Sequence, residues 1–379
     1  MRIIEAYGFT KCPISTAPWN TNVPYVGQVE GSRMTVGFTD PYQYAPTGPT
    51  FGIRKGTDPD ALVIRARNLA NYSGGNYMAT VEAVLENAET GLQASSSMLS
   101  FGFRVTHEAR NSGTIISSGG VRLSDSLTPL PIVLAADWAT PNVVGTGHYF
   151  EITVDRVTGE VIVYRDNVYL KTMSIASRLA GNGVKLVAFW MGVNTSNGGG
   201  YAELYRDDAF KDILLSEIAA NDMVKKVGPV RLKSMPVKAV NATTWTPDVA
   251  GKTVVESLND THANFNSVVG TPTTVSVTDN DANGIVTFDT AGISDTDTVK
   301  GLVIQVDALA TSGSSGLKLD LLKSGAQDQS QTATFQQTFD YTRALQSTGL
   351  ARRMAFKSIV GTPAKTELDK YTVKLAAAL

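Results

Sequence analysis

Residues 147–169 read GHYFEITVDRVTGEVIVYRDNVY, and this stretch decides what kind of fold the chain makes. Phe150, Ile152 and Val154 alternate with Glu151, Thr153 and Asp155, so one face is apolar and the other polar, the period of a strand. Val157-Thr158-Gly159 turns the chain into a second strand, Glu160-Val161-Ile162-Val163-Tyr164. Arg165-Asp166-Asn167 turns it again into Val168-Tyr169-Leu170. Three short strands joined by two tight turns make an antiparallel meander. The same alternation runs through Leu99-Ser100-Phe101-Gly102-Phe103-Arg104-Val105, whose four apolar positions share a face.

Working outward, Val184 to Met191 is apolar except for Lys185, as in a strand covered on both faces. Asn194 to Gly200 reads as a loop, and Tyr201 to Tyr205 resumes the strand pattern. Met78 to Ala88 and Asp207 to Met223 hold helix-compatible residues but no 3.6-residue stripe; the first is expected to be a strand and the second to start as one. A second unit is expected after Asn221-Asp222, where Gly228-Pro229-Val230-Arg231-Leu232 reads as a turn feeding an edge strand. From Thr253 to Thr298 there is no Lys or Arg, against Glu256, Asp260, Asp279, Asp281, Asp289, Asp295 and Asp297. Short strands are expected at Thr274–Val277, Ile285–Phe288, Gly301–Leu309, Leu317–Leu322, Ala355–Val360 and Tyr371–Leu375, broken by turn residues as in a sandwich. The expectation is an all-β chain with one unit over 1–222, a linker and first strand over 223–250, and a smaller β-sandwich over 251–379.

Composition narrows the function classes. Charged residues are 18% of the 379, below the roughly 25% of an average soluble domain, and 33 Lys+Arg against 35 Asp+Glu leave a net charge of −2. No global basic field exists to draw nucleic acid or an anionic membrane, so neither is expected as a partner. A single cysteine, Cys12, excludes an intrachain disulfide framework and multi-cysteine zinc sites. Met1-Arg2-Ile3-Ile4 runs straight into Glu5, without the apolar stretch of an export signal, and no run reaches the roughly 18 apolar residues of a spanning helix. Synthesis in a reducing cytoplasm is expected, and the triplets at Asn71, Asn194, Asn241 and Asn259 read as chance glycosylation matches.

Enzyme signatures are absent: the chain has no G-x-S-x-G, H-E-x-x-H, P-loop or G-x-G-x-x-G. The carboxylate pairs Glu151/Asp155 and Glu203/Asp207 are four apart and read as polar residues on an exposed sheet face, so no catalytic residue and no cofactor is assigned. Asp279-Asn280-Asp281-Ala282-Asn283-Gly284 spaces oxygens as a calcium loop does, but Thr290 stands where a bidentate Glu belongs. Asn283-Gly284 instead reads as a type I′ hairpin, with Asp279, Asp281, Asn283 and Asp289 kept as a weak calcium alternative. Trp138 and Trp190 lie in or beside apolar runs and read as core. Trp19 and Trp245 stand among polar and proline residues and, with Tyr42 and Tyr44, are the candidates for glycan or partner contact.

The N-terminal part resembles the concanavalin-like (laminin-G-like) jelly roll of bacteriophage virion proteins. The resemblance rests on Ile3-Ile4-Glu5-Ala6-Tyr7-Gly8-Phe9, Ser97-Met98-Leu99-Ser100-Phe101-Gly102-Phe103, the 147–169 block and Tyr205-Arg206-Asp207-Asp208. The second part is similar to the module that often follows in such proteins, through Gly228-Pro229-Val230-Arg231-Leu232, Thr244-Trp245-Thr246-Pro247 and the late Glu367-Leu368. One departure is Ala209-Phe210-Lys211-Asp212, where the pattern has an apolar strand. The resemblance implies a non-enzymatic structural component of a tailed-phage virion (tail, baseplate, collar or fibre-associated), residing in the particle. It would be a homo-oligomer docked on other virion structural proteins. The alternatives are a lectin-like protein that binds a host surface glycan or receptor, and a head decoration protein.

Overall fold

Strands dominate the described part of the computed structural model, which describes residues 2–7, 27–28, 34–39, 51–55, 62–68, 77–83, 97–110, 116–124, 130–134, 145, 147–178, 185–194, 204–219, 225–233, 235–242, 244–247, 249–259, 275–276, 284–307, 316–334, 351–355 and 365–378. Two compact units emerge, one reaching to Leu232 and the other beginning at Lys233. The first contains β1 (Arg2–Tyr7), β2 (Gly27–Gln28), β3 (Met34–Thr39), β4 (Phe51–Lys55), β5 (Leu62–Asn68), β6 (Tyr77–Ala83), β7 (Ser97–Arg110), β8 (Ile116–Ser124), β9 (Leu130–Leu134), β10 (Gly147–Asp155), β11 (Glu160–Arg165), β12 (Val168–Ser174), β13 (Lys185–Asn194) and β14 (Leu204–Ala219).

These strands make two sheets. One runs β12-β11-β10-β7-β14-β5-β4, with β1 also paired to β14; the other runs β2-β3-β6-β13-β8-β9. The sequence expectation of an all-β jelly-roll sandwich is met, and the meander at 147–174 is β10, β11 and β12, paired antiparallel in chain order. In the β7–β10 register Phe150 lies opposite Phe103, Ile152 opposite Phe101 and Val154 opposite Leu99, which puts these six apolar residues on one face. That face is the core. Phe103 stacks on Phe150 at 5.6 Å between ring centroids and approaches Phe101 at 5.5 Å and Phe210 at 6.5 Å. Each such buried ring contributes on the order of 1.5–3 kcal/mol. Val121 of β8 and Ile132 of β9 are buried from the other sheet.

Two turns fix the meander's geometry. Asp166 and Asn167 both have positive φ, 49° and 71°, the type I′ conformation that matches strand twist. At the other end Gly159 has φ 75° and closes the turn with its N–H on the Asp155 carbonyl at 2.8 Å. A side chain at Gly159 would run into the backbone of Ala176.

β14 accounts for the departure at residues 209–212. Ala209, Phe210, Ile213, Leu214 and Leu215 are all buried in one continuous 16-residue strand, and the register slips between Lys211 and Leu214. Asp212 takes a φ of 55° at this bulge, a conformation that Asp tolerates better than most residues.

In the second unit, β15 (Val237–Asn241), β18 (Gly284–Phe288), β23 (Tyr371–Ala378), β20 (Gly316–Lys323) and β21 (Ala326–Thr334) form a five-stranded sheet in the order β15-β18-β23-β20-β21. Two-stranded pairs join β16 (Thr246–Pro247) to β17 (Val275–Ser276) and β19 (Val303–Asp307) to β22 (Ala351–Ala355). Short helices α1 (Val254–Asn259) and α2 (Lys365–Leu368) complete the described elements of this unit. Leu302, Leu319, Leu321, Leu368, Tyr371 and Val373 form the core, with Phe288, Ile293 and Leu375 packed against it. Thr253 and Glu256 cap α1 reciprocally: each backbone N–H is bonded to the other's side chain.

Two expectations need correction. Gly228–Leu232 forms no strand: the Gly228 and Leu232 N–H groups go to the Glu151 and Asp212 carboxylates rather than to a sheet partner. Gly284 is not a turn residue but opens β18. Of the strand expected at Ala355–Val360, the described part is the end of β22, and residues 356–360 lie outside the described residues.

Candidate functional site

The polar face of β10 is the site's foundation, and the sequence misjudged its exposure. Glu151, expected in solvent, is buried at 2% exposure, as are Thr153 and Ser100. The cover is the segment 225–232, sequence KKVGPVRL, which runs as a strap without secondary structure over this outer face. Glu151 holds it: Oε1 accepts the Val227 N–H at 2.6 Å and the Ser100 hydroxyl at 2.6 Å, and Oε2 accepts the Gly228 N–H at 2.8 Å. Gly228 has φ 80°, so two successive N–H groups converge on one carboxylate, an anion-binding nest. Further along, Asp212 Oδ1 accepts the Leu232 N–H at 2.9 Å, while Oδ2 pairs with Arg104 Nε at 3.2 Å.

Tyr149 lies between these carboxylates. Its ring covers Gly102, where any side chain would overlap the phenol, and the Arg104 guanidinium stands 5.8 Å from the ring centroid. Burial drives the phenol's pKa far up, and the charges of Glu151 and Asp212 push the same way, so Tyr149 stays protonated. Buried in this way, Glu151 and Asp212 act as hydrogen-bond acceptors for the strap.

Beside the strap the outer face is open. Tyr164 of β11 and Tyr169 of β12 are direct cross-strand partners, with Ile162 opposite Thr172 and Glu160 opposite Ser174 on the same face. Tyr169 is 60% exposed. Lys226 of the strap sets its ammonium 4.5 Å from the Tyr164 centroid and donates to the Asn167 carbonyl at 2.9 Å. Desolvation raises the Tyr164 phenol, aided by Glu151, Glu160 and Tyr169. Lys225 and Arg231 are exposed along the strap, which contains no acidic residue. The result is an aromatic pair with Lys226 over one ring, beside a strap that carries further cations and no acid of its own.

Other polar clusters are structural. Arg156 is 1% exposed and ties Glu217 Oε1 at 2.6 Å and the Ser97 carbonyl at 3.2 Å, joining the ends of β7, β10 and β14. His148 Nδ1 meets Asp166 Oδ2 at 2.5 Å, and Asp166 Oδ1 accepts the Tyr149 N–H at 2.9 Å, bracing the type I′ turn.

The residues singled out from sequence fare differently. Trp19, Tyr42 and Tyr44 lie outside the described residues, as do Trp138, Glu203, Asp279, Asp281 and Asn283. Trp245, expected to be exposed, is 7% exposed, its ring seated on the bare backbone of Gly284. Asp289 bonds the Ala291 N–H at 2.9 Å within a turn, and no cluster of three metal-ligating side chains exists among the described residues. Asp155, the other half of the expected carboxylate pair, caps the turn through the Val157 and Thr158 N–H groups. The strap was missed because its role depends on a long-range fit to Glu151 and Asp212; its run of cations without an acid was the one local signal.

No family model and no curated protein matches the chain. Among solved structures it is similar to the alginate lyase AlyC3, at 11% identity over 50% of this chain and 91% of that one, with a TM-score of 0.31. It is also similar to the alginate lyase from Corynebacterium sp., at 11% identity over 56% of this chain and 98% of that one, TM-score 0.31. A sialidase matches at 10% identity over 46% of this chain and 17% of that one, TM-score 0.26. The likeness is one of fold. These neighbours correct the expectation of a non-enzymatic structural component of a tailed-phage virion: those named are alginate lyases and a sialidase, enzymes by name.

Proposed function

We propose that this chain is a carbohydrate-active protein whose first unit engages an extended acidic polysaccharide on its outer sheet face, along the strap and the Tyr164–Tyr169 pair. The observation that carries this is the exposed Tyr169 opposite Tyr164, with Lys226 over the Tyr164 ring and Lys225 and Arg231 exposed in a segment without an acid. An exposed tyrosine offers a flat apolar face for a sugar ring, and its hydroxyl stays wet. Lysine and arginine supply point and forked donors to carboxylates spaced along a polymer. A neutral polymer would gain only the stacking, whereas a polyuronate gains both.

The test is incubation of the full chain with a panel of polyuronates, sulfated polysaccharides and neutral glucans. Retention on polymer-bearing gels reports binding, and new reducing or unsaturated ends report turnover. Retention by the polyuronates, with or without new ends, supports the proposal. Indifference to every acidic polymer overturns it.

A further inference from the structure

We infer that Glu151 and Asp212 are positioning residues for this face: together they latch the strap, setting the place of Lys226 beside Tyr164 and the stations of Lys225 and Arg231 along the strap. The latch stands on its own geometry, and only its consequence for polysaccharide rests on the proposed function.

Four facts converge on the latch. Both carboxylates are buried on the sheet's outer face, at 2% and 6% exposure, where an unpartnered charge is costly. Their described partners across the gap are strap backbone N–H groups, those of Val227, Gly228 and Leu232. The strap forms no strand, so these bonds take the place of a sheet ladder. Gly228 at φ 80° is what lets two N–H groups point at one carboxylate, and Pro229, which has no N–H, follows where none is needed. The two anchor points lie at opposite ends of Val227–Leu232, so the cations between and beside them have fixed stations. Val227 is buried, while Lys225 and Arg231 face out.

Charge and position make opposite predictions for Glu151→Gln. Removing a carboxylate near a cationic row strengthens attraction for a polyanion if only net charge matters. If Glu151 acts by positioning, binding weakens despite the more favourable charge. The experiment measures hydrogen exchange of strap amides and affinity for a polyuronate in the full-length wild type, Glu151→Gln, Asp212→Asn and Gly228→Ala. The expected result is exchange of residues 226–232 accelerated about tenfold or more, while β7 and β10 amides remain protected. Affinity is expected to fall about tenfold in each variant. Unchanged strap protection in Glu151→Gln and Gly228→Ala overturns the latch, and tighter polyuronate binding by Glu151→Gln overturns the positioning role. Should Glu151→Gln fail to fold, Gly228→Ala decides, because it disturbs the nest and leaves the buried carboxylate in place. If the wild type ignores polyuronates, the functional proposal fails, and the exchange measurement still decides the latch.

Discussion

Trp245 packs against Gly284: its six-membered ring occupies the space that a side chain at residue 284 would fill. The indole is thereby buried against β18 rather than presented to solvent.

Gly284→Ala should therefore displace the tryptophan and lower the second unit's stability by about 1–3 kcal/mol, the cost of overpacking. Urea unfolding followed by tryptophan fluorescence checks it. Trp245→Ala should cost about 3–5 kcal/mol as a cavity and leave polysaccharide binding by the first unit unaltered.

The Asp166–Asn167 turn gives a second prediction. Both residues hold positive φ, so Asn167→Ala should destabilise the first unit by about 1–2 kcal/mol, the cost of the left-handed conformation for an ordinary residue. Asn167→Gly should be tolerated. Thermal melts of the two variants separate a conformational cause from a lost side-chain contact.

Asp155 gives a third. Partial burial raises its carboxyl, but the N–H groups of Thr158 and Val157, the Thr158 hydroxyl and Lys225 outweigh that and hold it below the usual carboxylate value. A depressed pKa means the stabilising contribution is complete above the unfolded carboxylate's range and disappears as pH falls through the folded one. The stability gap between wild type and Asp155→Ala should be largest near neutrality and narrow steadily below about pH 4. A gap that widens with acid would contradict the assignment.

Much of the fold was legible because single-face burial prints a period of two on the sequence. Leu99–Val105 and Phe150–Val154 show it: the residues expected to share a face, Leu99, Phe101, Phe103 and Val105 in one and Phe150, Ile152 and Val154 in the other, are all buried. β21, sequence AQDQSQTAT, was invisible for the same reason in reverse: it has no apolar alternation. Only Ser324-Gly325, at φ 51° and 83°, marked the hairpin that creates it. Gly284 misled because asparagine-glycine signals a turn locally, whereas here the missing side chain serves Trp245. The site was harder still. Alternation correctly placed Glu151 on the face away from the core, but nothing local says that residues 76 and 77 positions later will cover it.

The most direct measurement of the central claim is the dissociation constant for a polyuronate, at low and at physiological salt, of wild type, Tyr169→Ala and the Lys225→Glu/Arg231→Glu double variant. The wild type should bind, and weaken with salt as screened charges do. Tyr169→Ala should lose about 1–2 kcal/mol at either salt concentration, as a stacking contact does. The double variant should lose both binding and salt dependence. Equal affinity of all three proteins, or none measurable for the wild type, would contradict the account.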